Sequence, residues 1–196
     1  MINSRIKNLK NLFNKESIDG YVVPKNDEFF SEFSKIDRLK TISNFSGSAG
    51  YAIILKKKNY LFVDGRYTIQ AKIESGKNFI ITEYHKIVNC NLFKNLTLGI
   101  NPKLFTSNQI KKKFLKNNKI KLIKTDLIKQ NSEKKLNDLR PFFSLDKLIV
   151  GQSHKKKINK IINFLKKNKS NFIFITAPEN VAWLLNIRGH DNPNSP

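Results

Sequence analysis

With 196 residues, 39% of them hydrophobic and 15 of them Phe, the chain has room for one ordinary domain and part of another, and the apolar content to bury a core. No apolar run approaches the roughly 18 residues of a membrane span, and the opening MINSRIKNLKNLF mixes polar and basic residues among its apolar ones, so neither a membrane helix nor a secretory leader is expected. The single Cys, Cys90, excludes an intramolecular disulfide and suits a reducing, cytoplasmic compartment.

Ile2, Ile6, Leu9, Leu12 and Phe13 recur at helical spacing and predict an amphipathic opening helix. GYVV at Gly20 to Val23, closed by Pro24, reads as a buried strand, and Leu39 and Ile42 share one face of a short helix. YAIIL (Tyr51 to Leu55) and YLFVD (Tyr60 to Asp64) flank a Lys-Asn turn and read as a β-hairpin. YTIQAKIES is a helix with Gly76 at its C-cap; FIITEY and TLGIN are further strands. Thr106 or Ser107 can cap a helix running to Asn117, and IKLIK returns as a strand. Asn137 to Phe143 breaks this rhythm, with Pro141 stopping any helix.

Beyond the break the pattern starts again. Lys156 to Asn168 carries Ile158, Ile161, Ile162 and Leu165 on one helical face, NFIFIT reads as a buried strand, and a short helix follows around Ala182 to Leu185. Asn44-Phe45-Ser46-Gly47 in the first module answers Asn186-Ile187-Arg188-Gly189 in the second, which is the signature of a tandem duplication. In the first module a hairpin follows this tetrapeptide, so a hairpin is expected beyond Pro196 to complete the second.

Few residues are arranged for chemistry. SGSAG (Ser46 to Gly50) lacks the first Gly of a nucleophile elbow and the Gly-Lys-Ser/Thr ending of a phosphate loop; a tight turn into a strand explains it better. His85, His154 and His190 are far apart and in no metal-ligand spacing, although His190 stands beside Asp191. The net charge of +22 invites a nucleic-acid partner. Its carriers, however, are lysines in short runs such as Lys56-Lys57-Lys58, Lys111-Lys112-Lys113 and Lys155-Lys156-Lys157, which read as solvated turns and helix starts. The most pointed local signal is FVDGRY. A strand ending at Asp64-Gly65 hands Arg66 and Tyr67 to the next helix, where Arg66 can recognise a carboxylate, form an ion pair across an interface, or pair with a nearby acid while Tyr67 packs.

GYVVPKNDEFFSEF, NFSGSAGYAIIL and LFVDGRYTIQA together resemble the N-terminal domain of Xaa-Pro aminopeptidase (aminopeptidase P) in the creatinase/prolidase superfamily; PFFSLDKLIV and ITAPENVAWLLNIRG resemble the start of that family's second domain in its three-domain branch. The resemblance implies an α/β fold: a creatinase N-terminal-like domain at residues 1–143, with a mixed β-sheet flanked by helices, and the truncated start of a second, similar domain at residues 144–196. In that branch a third domain holds two divalent metals, usually manganese, on two Asp, one His and two Glu that activate a water against the peptide bond before proline. None of those ligands maps onto this sequence, so no catalytic or metal-binding residue is expected here. The implied function is that of a non-catalytic N-terminal fragment of a metal-dependent Xaa-Pro aminopeptidase acting on proline-containing peptides. By resemblance, Arg66 and Tyr67 match the family's Gly-Arg-Tyr and Arg188 its Arg-Gly loop, with roles in substrate access or in the homodimer interface. Phe29-Phe30 departs from the polar residues of relatives and suits a more apolar contact. The rival readings are a protein-binding module of the same superfamily and a basic nucleic-acid binder; no specific nucleic acid and no membrane partner are expected.

Overall fold

The computed structural model describes residues 2–30, 36–87, 93–128 and 141–190, the Leu115 side chain apart. The chain forms two compact units, residues 1–28 with 36–135 and residues 29–35 with 136–196. No described helix is long and apolar enough to cross a membrane.

In the first unit the helical spacing at the N-terminus becomes α1 (Ile2–Lys15), which buries Ile6, Leu9 and Phe13. The chain turns through Ser17, with φ at 48°, into β1 (Gly20–Pro24), a strand buried along its whole length. Next come α2 (Arg38–Ser43), whose Leu39 and Ile42 are fully buried as expected, and the hairpin of β2 (Gly50–Leu55) and β3 (Asn59–Val63). The helix α3 (Thr68–Ser75) crosses to β4 (Ile80–Glu83); β5 (Thr97–Ile100), α4 (Ser107–Ile110) and β6 (Lys119–Leu122) complete the unit. Thr106 caps α4 in a reciprocal capping box with Gln109. Beyond Ile110 the chain widens into a π-turn over Lys111–Leu115, where the sequence predicts an uninterrupted helix to Asn117.

These strands make one six-stranded mixed sheet in the order β4-β3-β2-β1-β5-β6. The hairpin is antiparallel, with Tyr51 opposite Phe62 and Ile53 opposite Tyr60. The helical crossovers make β3–β4 and β5–β6 parallel, as right-handed βαβ geometry favours. Because side chains alternate along a strand, each central strand feeds two cores. Tyr21, Val23, Ala52, Ile54, Leu61 and Val63 join α1, α2 and α3 on one face. Val22, Tyr51, Ile53, Tyr60 and Phe62 join Phe105 and Phe114 on the other. A Cβ at Gly20 would lie 2.8 Å from the Ile54 carbonyl oxygen, so β1 and β2 meet as closely as only glycine permits.

The second unit contains β7 (Phe143–Ser144), α5 (Lys147–Val150), α6 (His154–Lys167), α7 (Pro178–Leu185) and β8 (Ile187–Arg188), with β7 and β8 paired antiparallel. Ser153 caps α6, and Pro178 opens α7 at a position where its missing N–H costs nothing. Of the expected apolar face of α6, Ile158, Ile161 and Leu165 are half-buried and Ile162 is exposed. The expected strand over NFIFIT does not form: Phe172 and Phe174 are 83% and 85% exposed, and no ladder partner reaches this segment among the described residues. An apolar run becomes a strand only where another edge supplies its hydrogen bonds. The reading of Lys155-Lys156-Lys157 as fully solvated also needs correction, because Lys157 is buried.

The internal correspondence has a conformational counterpart. α2 ends at Asn44 with φ 63°, and α7 ends at Asn186 with φ 56°, both left-handed C-caps. Asn is among the few residues that adopt this conformation at low cost, which explains its recurrence at the head of both tetrapeptides.

Candidate functional site

The turn from β3 to α3 is built by Asp64. Its carboxylate accepts from the Arg66 backbone N–H at 3.0 Å and from Arg66 Nε at 2.8 Å, capping the single 3₁₀ turn Gly65–Tyr67. These hydrogen bonds hold the Asp64 carboxyl below the usual carboxylate range and the Arg66 guanidinium above its ordinary value. The Arg66 side chain is 77% exposed and has only Asp64 as an ion-pair partner among the described residues, so both terminal amino groups of its fork face water. Tyr67 lies beneath the guanidinium, whose carbon is 5.6 Å from the ring centroid; its hydroxyl lies 3.0 Å from Ser48 Oγ and its ring meets Phe45 edge-on at 5.8 Å. The turn thus fixes Tyr67 and presents Arg66.

SGSAG packs against the same turn. Ser46 gives its backbone N–H to Glu74 Oε2 at 2.8 Å and its hydroxyl to Oε1 at 2.7 Å, and Gln70 donates to Ser46 Oγ and to Oε1. Burial works to raise the Glu74 carboxyl, but the hydrogen bonds from Ser46 and then Gln70 outweigh it and hold it low. An amide that a phosphate loop would offer to an anion is therefore already occupied by a carboxylate. A Cβ at Gly47 would strike the Phe45 ring at 2.2 Å, and one at Gly50 would lie 2.9 Å from the Phe62 carbonyl oxygen. Close packing is the reason for these glycines, as the sequence suggests.

Arg188 lies on β8 in the second unit, opposite Phe143, and donates to the Ile187 carbonyl at 3.0 Å. His190 stacks on Phe143 at 4.6 Å; Asp191 beside it lies outside the described residues. His85 pairs with Glu83 at 3.3 Å, and His154 opens α6. Among the described residues no three His, Cys, Asp or Glu side chains gather as a metal site would require. Phe29 and Phe30 are 63% and 44% exposed.

Two clusters escape the sequence reading. Arg38, 2% exposed, donates to Asp126 at 2.6 Å and to Glu28 at 2.7 Å. Burial works to lower its pKa, and the hydrogen bonds and charges of Asp126 and then Glu28 overcome this and raise it. Tyr51, Tyr84 and Lys113 form the second cluster: Lys113 Nζ lies 3.2 Å and 2.5 Å from the two hydroxyls and 4.4 Å from each ring centroid. Asp126 and Lys113 come from segments with no periodic pattern, so nothing in the sequence signals either contact.

With this geometry in hand, comparison with known proteins is decisive. A Creatinase/Prolidase N-terminal domain model matches residues 5–130, and a second model of the same description matches residues 133–196. The chain belongs to the creatinase/prolidase N-terminal domain family. It is 33% identical to a probable Xaa-Pro aminopeptidase P of Coprinopsis cinerea over 204 residues, covering 96% of this chain and 33% of that protein. It is 28% identical to Xaa-Pro aminopeptidase 1 of Dictyostelium discoideum, covering 97% of this chain and 34% of that protein. The chain therefore spans about a third of the length of these curated relatives and corresponds to their N-terminal portion. Its fold matches the crystal structure of the X-prolyl aminopeptidase of Caenorhabditis elegans with a TM-score of 0.81 at 24% identity, over 98% of this chain and 36% of that one. That enzyme is described as cytosolic, with a di-nuclear active site. A creatinase/prolidase N-terminal fold accounts for the mixed sheet and for the repeated helix caps.

Proposed function

We propose that residues 1–196 are the non-catalytic N-terminal portion of a cytosolic, metal-dependent Xaa-Pro aminopeptidase, which removes the residue preceding proline from the N-terminus of peptides. The observation that carries this reading is the match to Xaa-Pro aminopeptidases over 96% of the chain, in order through both units. A two-metal centre, manganese by resemblance, does not fit the donor sets present in the described residues, so no step of the hydrolysis is assigned to them. Their work is to shape access to the active site and to contribute contacts to a homodimer. Arg66, fixed by Asp64 and open to water, supplies a planar cation for a carboxylate on substrate or partner, and Tyr67 anchors the turn that presents it. Arg188 serves the same purpose from the second unit, where residues 144–196 are read as the start of a second domain.

Purified chain 1–196, incubated with an Xaa-Pro peptide with and without manganese, is expected to release no N-terminal residue. Metal-dependent turnover above background would contradict the reading.

A further inference from the structure

Among the described residues of the first unit, six cations are shielded from full exposure, and their hydrogen bonds sort them. Lys25 and Arg38 end on carboxylates. Arg5, Lys10 and Lys121 end on backbone carbonyls, Arg5 on the Asn44 amide oxygen as well, and these oxygens can only accept. Lys113 alone ends on hydroxyls, those of Tyr51 and Tyr84, and no carboxylate pairs with it among the described residues. Hydroxyls are donors as well as acceptors, so this cluster holds more hydrogens than its oxygens take up. Lys113 brings three N–H groups and spends two on the phenols. Each phenol oxygen accepts from Lys113, and at most one phenol O–H can be spent on the other phenol, so at least one O–H stays free. Burial, and then Tyr51, pushes the Tyr84 phenol upward, so it keeps its proton at neutral pH.

The surroundings suit a ligand. Tyr51 is buried and wedged between Phe105 and Phe114, while Tyr84 and Lys113 are half-buried, so the donors are held rigidly at the protein surface. Tyr51 opens β2 and Tyr84 follows β4, which places the cluster at the carboxyl ends of the parallel strands β3 and β4. Ligands of α/β sheets gather at that end. Lys113 comes from the π-turn, a local widening of the helix that is frequent at functional sites.

We propose that Lys113, Tyr51 and Tyr84 form a binding site for a carboxylate. A carboxylate only accepts hydrogen bonds, carries the single negative charge that one ammonium offsets, and has two oxygens for the free N–H and the free O–H. A phosphate dianion would leave charge uncompensated. The two aromatic faces over which the ammonium sits keep it in place whether or not the ligand is bound.

The test follows the ring resonances of the chain's five Tyr residues by NMR in the full chain while sodium acetate is added, with sodium chloride at equal ionic strength as the control. Acetate is expected to move the Tyr51 and Tyr84 signals along a saturating curve that chloride does not reproduce, leaving Tyr60 in place. Lys113→Met is expected to weaken that response by about tenfold or more, the loss of one charge-assisted hydrogen bond. Unchanged Tyr60 signals show that the variant is folded. Should the variant unfold, the acetate and chloride titrations of the natural chain decide alone. Equal, non-saturating shifts with both salts, or full acetate binding by folded Lys113→Met, would overturn the proposal and leave a purely structural cation–π clamp.

Discussion

Lys157 Nζ donates to the Trp183 carbonyl at 2.6 Å and to Asn186 Oδ1 at 2.6 Å, and it sits 4.1 Å from the centroid of the Trp183 ring. One buried cation thus closes the C-terminus of α7, where backbone carbonyls concentrate negative charge, and holds the left-handed Asn186 that follows. Asn186 in turn donates to the Gln152 carbonyl at 3.0 Å, tying the start of α6 to the end of α7. Lys157→Met keeps the volume and removes these bonds; it should destabilise the second unit by about 1–3 kcal/mol. Trp183 is the chain's only Trp, so its emission reports this site directly. Urea unfolding followed at Trp183 should shift to lower midpoint in the variant, and an unchanged midpoint would remove Lys157 from the account.

Arg38 is the corresponding buried cation of the first unit, with Asp126 and Glu28 as its partners. Asp126→Ala leaves a guanidinium that is 2% exposed with Glu28 as its one remaining carboxylate among the described residues and should cost about 2 kcal/mol or more, because a buried charge that loses its compensation is expensive. The doubly apolar variant Arg38→Met with Asp126→Leu should recover most of that loss. Urea melts by far-UV circular dichroism check both; equal losses for the single and double variants would show that charge pairing is not what matters there.

Asp19 ties three strands together. Its carboxylate accepts from the Thr97 backbone N–H at 3.0 Å and from Lys56 Nζ at 2.9 Å. The Thr97 bond first and the Lys56 bond second lower its pKa against a smaller effect of burial. A depressed carboxyl contributes stability that is present above its unfolded pKa, about 3.9, and is lost as pH falls through the lower folded value. Stability measured between pH 6 and pH 2.5 should therefore fall more steeply in the natural chain than in Asp19→Asn. Parallel profiles would contradict this assignment.

The parts of the structure that sequence reading reaches are those with local causes. The unbroken apolar runs Tyr51–Leu55 and Tyr60–Val63, on either side of a short polar turn, need only local information to specify a hairpin buried on both faces, and that is what forms. The Asn at positions 44 and 186 signals a helix end because the left-handed conformation restricts the choice of residue. Phe172 to Thr176 has the same apolar character as β1, yet character alone does not supply a neighbouring edge, and no strand results. Lys113 and Lys157 each stand last in a run of three lysines whose other members are exposed; which lysine turns inward is set by partners 26 to 62 residues away. Of the candidate site, the Asp64–Arg66 turn was legible because its contacts span two residues. The Arg38 and Lys113 clusters were not, because theirs span ten or more.

Hydrogen exchange should separate the two kinds of segment. Peptides covering Tyr51–Leu55 and Tyr60–Val63 lie in the middle of the six-stranded sheet and should exchange slowly. Phe172 to Thr176, with no ladder, should exchange faster by orders of magnitude. Equal protection of both would mean that the second segment is hydrogen-bonded in solution.

The functional reading is tested most directly by exchange of parts. Residues 1–196 should replace the matched N-terminal portion of Dictyostelium discoideum Xaa-Pro aminopeptidase 1, with which they share 28% identity. The folded chimera, supplied with manganese, is expected to release the N-terminal residue of an Xaa-Pro peptide, and Arg66→Ala in it is expected to raise KM more than it lowers kcat. A folded, metal-loaded chimera that leaves the peptide intact, beside a parent enzyme that cleaves it, would contradict the assignment of this chain to the peptidase.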